Sequence, residues 1–460
     1  MDAQTPLSPS AAAQEIAAQL ARWAAGAGEV APLAPIVRIA FRIEDISPIE
    51  WLRAQRHTTQ YYWSERDGQF EMAGIGEADV VIPKPGRTLD QLFERMRARL
   101  SPRHPSLRYY GGFRFHPGAV KGDRWSAFGD YRFVVPRFEV LRRDGRTYLT
   151  CNATVPPKTD ASQAFNHFLD LLASIQFPKT PQPIELPRVK SRTDAPDRRG
   201  WDDRVNRALE AIRAGKLGKV VLSRESVFKG DAPFDALSVL SALLEYAMRS
   251  FEFCFHPAED RAFIGASPER LYKRNNCHLQ SEALAGTRPR GQTDAKDRAL
   301  ADELLSNEKE TREHRFVVER LKENFDSLCR HVEVQGHPSI MRQWSCQHLY
   351  TRIEGILNAD VGDADLISAL HPTPALGGAP REAALEWIAR EEPFDRGIYG
   401  APVGWVGFDA AEFCVAIRSG LIQGNELALY TGAGIVDGSV PEAEWNEIDT
   451  KMEGFLRVLR

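Results

Sequence analysis

Apolar and polar positions change period along the chain, and the change predicts two kinds of structure. Residues 8 to 25 carry the spacing of a short amphipathic helix. From Ile36 to about Thr154 the apolar runs are short and separated by turns. Ile36-Val-Arg-Ile-Ala-Phe41, Tyr61-Tyr-Trp63, Arg132-Phe-Val-Val135 and Phe138-Glu-Val-Leu141 predict strands. Arg66-Asp-Gly68 and Arg143-Asp-Gly-Arg146 read as hairpin turns. One helical stretch, Leu89 to Leu100, interrupts this β region, and Ala161 to Leu172 predicts another helix. Phe177 to Gly200 is rich in Pro, Lys, Arg and Asp and reads as a connector. Residues 1–185 are therefore expected to form a mostly β half, packed on a second half spanning 195–460 as one continuous fold.

The second half mixes helices and strands. Val205, Leu209 and Ile212 recur as one buried helical face; Gly215 and Gly218 end that helix, and Val220-Val-Leu222 starts a strand. Ala236 to Ala247 and Asp297 to Cys329 predict helices, Phe251–Phe255, Ala262–Ile264 and Gly400–Ile435 predict β structure, and a last helix runs from about Val440. Without regular βαβ spacing, the pattern predicts an α+β fold of large layered β-sheets flanked by helices.

Composition narrows the class. With 43% hydrophobic residues in a 460-residue chain, a large core is available. A net charge of −4 gives no case for nucleic acid or an anionic membrane surface. Six scattered cysteines form no CxxC pair and no zinc spacing, and read as reduced thiols. The N-terminal stretch lacks a basic segment before an apolar core, and no apolar run reaches about 18 residues. A soluble, cytoplasmic protein is expected.

Several polar residues stand where chemistry is possible. Lys219 sits at the mouth of the buried strand: it is either a solvated strand-end lysine or a desolvated amine able to take a proton at neutral pH. Glu269, in Gly265-Ala-Ser-Pro-Glu-Arg270, projects from a turn after a strand, as a solvated carboxylate or as the matching acid. Glu310 and Glu313 share one helical face, and Glu444 and Glu447 repeat that spacing on the last helix. The four carboxylates either face water or converge on a hard divalent cation. Ser439 and Glu442 have the spacing of a capping box. Ala285-Gly-Thr287 and Thr431-Gly-Ala-Gly434 are tight turns or anion-accepting loops. Arg418 ends an apolar run and calls for a partner, and His348 reads as a core histidine or a site residue. Tyr109-Tyr-Gly-Gly-Phe-Arg-Phe115 is read as a glycine-bent, packed strand.

Together these segments resemble the chorismate-utilising enzymes, the isochorismate, salicylate, anthranilate and aminodeoxychorismate synthases. The matching runs are Lys219-Val-Val-Leu-Ser-Arg224, Gly265-Ala-Ser-Pro-Glu269, Glu282-Ala-Leu-Ala-Gly-Thr-Arg288, Glu310-Thr-Arg-Glu-His314 and Gln347-His348. They continue through His371-Pro-Thr-Pro374, Gly397-Ile-Tyr399, Ala416-Ile-Arg418, Gly432-Ala-Gly-Ile-Val436 and Glu444-Trp-Asn-Glu447, in order over about residues 200 to 458. The resemblance implies an anthranilate synthase component I-like chorismate-binding fold.

Within the family the aminating members carry glutamine at the position of Lys219, so lysine is similar to the members that add water. Glu412-Phe-Cys-Val-Ala-Ile-Arg418 and Glu444-Trp-Asn-Glu-Ile-Asp449 look most like the menaquinone-type isochorismate synthases; salicylate synthase is the alternative. Tyr399-Gly-Ala-Pro402 and Thr431 depart from the more usual Tyr-Ala-Gly-Pro and alanine. The resemblance implies Lys219 as base, Glu269 as acid, and Mg²⁺ held by Glu313 and Glu447 with Glu310 and Glu444 close by. It further implies substrate contacts from Gly286, Thr287, His348, Tyr399, Arg418, Gly432 and Gly434. A monomer without a glutaminase partner is expected, its product serving menaquinone or siderophore synthesis.

Overall fold

The computed structural model describes residues 5–26, 36–118, 122–154, 161–246, 248–343 and 346–460. Its strands are antiparallel and hydrogen-bonded into one branched network. A central branch point is the strand Tyr131–Arg143. One of its edges pairs with Phe70–Val81; the other pairs first with Tyr109–Phe113 and then with Arg146–Ala153.

Two arms leave this strand. The first runs from Phe70–Val81 through Gln60–Ser64, Phe251–Ala258, Arg261–Ser267, Ser419–Gln423 and Glu426–Ile435 to Lys219–Gly230. The second runs from Tyr109–Phe113 through Pro402–Val406, Ala410–Val415, Arg270–Asn275 and His278–Pro289 to Cys346–Leu357. Strands from the two halves of the sequence therefore pair directly in each arm. Aromatic rings fill the junction: Phe113 lies 5.1 Å from Phe133 and 6.1 Å from Phe413, ring centre to ring centre. The run from Tyr109 is a fully buried strand, as its composition implies.

Helices lie against the sheet and position its ends. Arg198–Arg213 buries Trp201, Val205 and Leu209, and Gly215, at φ +71°, turns the chain toward the strand that begins at Lys219. The last helix, Pro441–Val458, packs on it through Trp445, 6.2 Å from Trp201.

Four local readings of the sequence need correction. The runs at 132–135 and 138–141 are one strand; Pro136 lies within it opposite Glu77, beside the bulge between Glu77 and Asp79, where its missing N–H is tolerated. The connector contains the strand Val189–Ala195, which completes the first arm against Lys219–Gly230. The long helical region is two helices, Asp294–Ser306 and Glu308–Leu328. Asn307 between them caps the second by accepting from the Glu310 amide at 3.1 Å. The final helix has no capping box, because its N-cap is Val440; the Ser439 hydroxyl instead accepts from the Val436 amide at 3.2 Å.

Candidate active site

Lys219, at a strand start, and Glu269, in the turn between Arg261–Ser267 and Arg270–Asn275, reach one cavity of about 580 Å³. Its wall also includes Glu282, Ala285, Glu313 and Gly434. That volume is in the range of small-molecule sites. Lys219 is the first residue of its strand, and its side chain lies along the facing strand at Gly434. A Cβ on Gly434 would stand 2.8 Å from Lys219 Cε, so only glycine leaves the amine its path. Gly434→Ala is expected to displace the amine and lower kcat tenfold or more, with the melting temperature little changed.

The electrostatics oppose both charged forms. Burial lowers the Lys219 ammonium, the positive charge of Lys451 lowers it further, and Glu313, Glu269 and Glu447 pull the other way. Glu269 is pushed up to about 7, first by burial and then by the negative charge of Glu282. An amine whose charged form is disfavoured and a carboxyl raised to about 7 thus share one pocket. This is the arrangement that general base and general acid chemistry requires.

The Gly286 segment lies beside the helices Asp294–Ser306 and Glu308–Leu328. The ladder between His278–Pro289 and Cys346–Leu357 slips between Ala285 and Thr287, and Gly286 takes φ +72° there. A Cβ on Gly286 would meet Glu310 Oε2 at 3.0 Å. His348 fixes the same turn: its Nδ1 lies 3.1 Å from the Gly286 carbonyl and 3.1 Å from the Thr287 hydroxyl. Burial, helped by the Arg418 charge, lowers this imidazole to about 4, so it is neutral at pH 7 and serves as a fixed hydrogen-bonding group.

Tyr399 is buried and stacks on Tyr430 at 5.8 Å, with its hydroxyl beside Ser223 and Gly432. Burial pushes this phenol up to about 12, so it stays a neutral donor. Arg418 has φ +51° and donates to the Lys451 carbonyl at 3.2 Å. The partner expected for it is thus a backbone carbonyl, and Arg418 lines a second, smaller cavity with Lys451. Tyr399 and Arg418 therefore flank the site at Gly432 and Lys451 and do not line the cavity wall that holds Lys219 and Glu269.

Of the four helix carboxylates Glu313 lines the cavity, and Glu310, Glu313 and Glu447 each stand in a separate ion pair. Glu310 accepts from Arg288 at 2.7 Å, Glu447 from Lys451 at 2.6 Å, and the exposed Glu313 faces Lys309 at 3.9 Å. Among the described residues no three His, Cys, Asp or Glu side chains gather closely enough to hold an ion. The donor set itself fits a hard divalent cation, since all four groups offer oxygen. Glu444 is raised by burial and by the like charge of Glu447, a repulsion that a bound cation would relieve.

The final helix is held in place by Arg224, which is fully buried, donates to Asp449 at 2.5 Å and lies 4.0 Å over the Trp445 ring. That contact explains why a basic residue follows the Lys219 strand start, why an aromatic lies between Glu444 and Glu447, and why an acid follows Glu447 two residues on. Lys451 was not anticipated from sequence. It bonds the Gly432 carbonyl at 2.9 Å, and its charge contributes to the electrostatics at Lys219, Glu269 and His348. Its place one turn after Glu447 is the signal that marks it as part of the same face.

Comparison with known proteins identifies the family. Residues 25–460 match the model of the chorismate binding enzymes. The chain belongs to that family. It is 35% identical over 398 residues to the chloroplastic isochorismate synthase of Catharanthus roseus, covering 85% of this chain and 68% of that protein. To isochorismate synthase MenF of Bacillus subtilis (strain 168) it is 33% identical over 446 residues, covering 93% and 94%. Among solved structures it superposes on MenF, the menaquinone-specific isochorismate synthase from Escherichia coli, with a TM-score of 0.85 at 29% identity, over 98% of this chain and 99% of that one. The α+β layered fold expected of a chorismate-binding chain is thus the one observed. No helix among the described residues is long and apolar enough to cross a membrane.

Proposed function

We propose that the protein is an isochorismate synthase, an isomerase that converts chorismate to isochorismate. The observation that carries this reading is the buried amine of Lys219, its charged form disfavoured, set against the Glu269 carboxyl, raised to about 7, in one cavity. Chorismate-binding relatives named as isochorismate synthases, alike along most of the chain, support it.

Lys219 accepts a proton from the water that adds at ring carbon C2. The ring double bonds shift, the C4–O bond breaks, and Glu269 gives its proton to the departing hydroxyl, which leaves as water. One water enters and one leaves, so the net change is an isomerisation. The step turns a neutral pair into an ammonium and a carboxylate, an ion pair favoured by their proximity, and proton exchange with solvent restores the resting state. Arg418 holds the enolpyruvyl carboxylate as a bidentate guanidinium, and Tyr399 donates to it. Gly286, Thr287, Gly432 and Gly434 let the backbone approach the substrate closely.

The cofactor in this reading is Mg²⁺, with Glu313 and Glu447 as its holders and Glu310 and Glu444 beside them. When bound, it supplies the positive charge that holds the ring carboxylate. The enzyme acts as a monomer in the cytoplasm without a glutaminase subunit, and its product serves menaquinone synthesis.

The test is to incubate purified protein with chorismate and Mg²⁺, and to separate the products chromatographically, with and without EDTA. Isochorismate formed with metal and lost with chelator is the expected result. Salicylate with pyruvate would reassign the enzyme, and no turnover would refute the reading.

A further inference from the structure

The turn that carries Glu269 is pinned at every peptide. The Glu269 amide donates to Ser267 Oγ at 3.3 Å, and its carbonyl accepts from the Val415 amide at 3.0 Å. The Arg270 amide donates to Glu282 Oε1 at 3.2 Å. The Pro268 carbonyl accepts from a guanidinium that belongs to neither neighbouring strand. That guanidinium is Arg66, from the hairpin turn between Gln60–Ser64 and Phe70–Val81 in the first half of the chain.

Arg66 does two things with one planar group. Its Nη1 reaches the Pro268 carbonyl at 2.9 Å and also Glu282 Oε1, and its Nη2 donates to Glu282 Oε2 at 2.8 Å. The Glu282 side chain has no exposed surface. A buried carboxylate needs compensating charge to stay ionised. Arg66 supplies it with Arg270, whose Nη1 lies 3.4 Å from Glu282 Oε2 while its Nε donates to the buried Glu412 at 3.0 Å. Both guanidiniums also lie over the Phe251 ring, each 5.4 Å from its centre, which fixes their planes.

We propose that Arg66 is a positioning residue for the general acid: it clamps the Pro268 carbonyl, and so the direction of the Glu269 carboxyl, while holding Glu282 as a fixed negative charge behind it. The inference rests on the reading of Glu269 as the acid. It assigns the N-terminal half a part in the chemistry beyond pairing strands. Lysine cannot replace the arginine, because one ammonium cannot span the carbonyl and both carboxylate oxygens in the same plane.

The charged groups facing Glu269 are Glu282 from the adjoining strand, Lys219 across the cavity and Lys451 from the final helix. Tyr350 and the two arginines face Glu282 in turn. Removing the Glu282 charge strips Glu269 of its negative neighbour and leaves it the cations. Its proton is then lost at lower pH, and the alkaline limb of kcat moves down.

The experiment compares full-length wild type, Arg66→Lys, Arg66→Met and Glu282→Gln, measuring kcat, KM for chorismate, melting temperature and the pH dependence of kcat with Mg²⁺ present. Arg66→Lys is expected to fold and to lose tenfold or more in kcat with KM within about twofold. Arg66→Met is expected to lose more. Glu282→Gln is expected to move the alkaline limb to lower pH. If Arg66→Met does not fold, Arg66→Lys and Glu282→Gln decide the matter. Wild-type kcat in folded Arg66→Lys, or an unmoved alkaline limb in Glu282→Gln, overturns the proposal while wild type still makes isochorismate. No isochorismate from wild type overturns the acid assignment itself, and this inference with it.

Discussion

Lys219→Ala is expected to lower kcat by about 10³-fold, within the range that one acid–base group contributes, while KM for chorismate changes little. The amine lies at the edge of the cavity and its role is to take a proton, so its loss removes transition-state stabilisation more than substrate binding. Lys219→Arg should not rescue the activity, because a guanidinium stays charged and cannot accept the proton. In wild type the rate should rise with pH until the buried ammonium has released its proton. That rise should lie below the pH range of an ordinary lysine, since burial and the Lys451 charge both lower it. Steady-state kinetics of the purified variant checks the first point, and a wild-type pH–rate profile the second. Near-normal turnover in Lys219→Ala would remove lysine from the mechanism.

Glu269→Gln is expected to cause a loss of similar size, because the leaving hydroxyl would depart without a proton. The acid must be protonated to act. With Glu269 pushed up to about 7, wild-type kcat should fall as the pH rises past that value, and the variant should lack this limb. Stability should move the opposite way. A carboxyl raised in the folded state adds its full share of stability below its unfolded value, and loses it as the pH rises through the folded value. Glutamine carries no such cost. Thermal unfolding should therefore show Glu269→Gln melting above wild type at pH 8, with the gap closing toward pH 5. An equal melting temperature at both pH values would mean that Glu269 is not held protonated by its surroundings.

The parts of the site that were legible in the sequence are those whose chemistry is tied to a local break in structure. Lys219 follows Gly218 at a strand mouth, Glu269 follows a proline turn, and the acidic pairs share helical faces. Each is a short-range pattern, and the structure places Lys219, Glu269 and Glu313 on one cavity. The groups that tune them are not local. Arg66 and Glu282 are separated by 216 residues, and no spacing rule connects them. The strand Val189–Ala195 was hidden because its residues are mostly exposed and polar, so it lacks the alternation that marks a half-buried strand. The division at Asn307 was missed for a different reason: both flanking segments keep helical spacing, and only the cap on Glu310 reveals the break. Arg418 shows the limit of reasoning from cost alone. A guanidinium at the end of an apolar run does find a partner, but the partner is a backbone carbonyl, which leaves its charge available to a ligand.

The most direct test of the central claim, addition of a water oxygen activated inside this cavity, is the reaction of chorismate in ¹⁸O-labelled water with mass analysis of isochorismate at low conversion. One heavy oxygen in the product, located on C2, is the predicted result. Unlabelled isochorismate would mean that the original hydroxyl migrates within the substrate, and would contradict the assignment of Lys219 as the base that activates water.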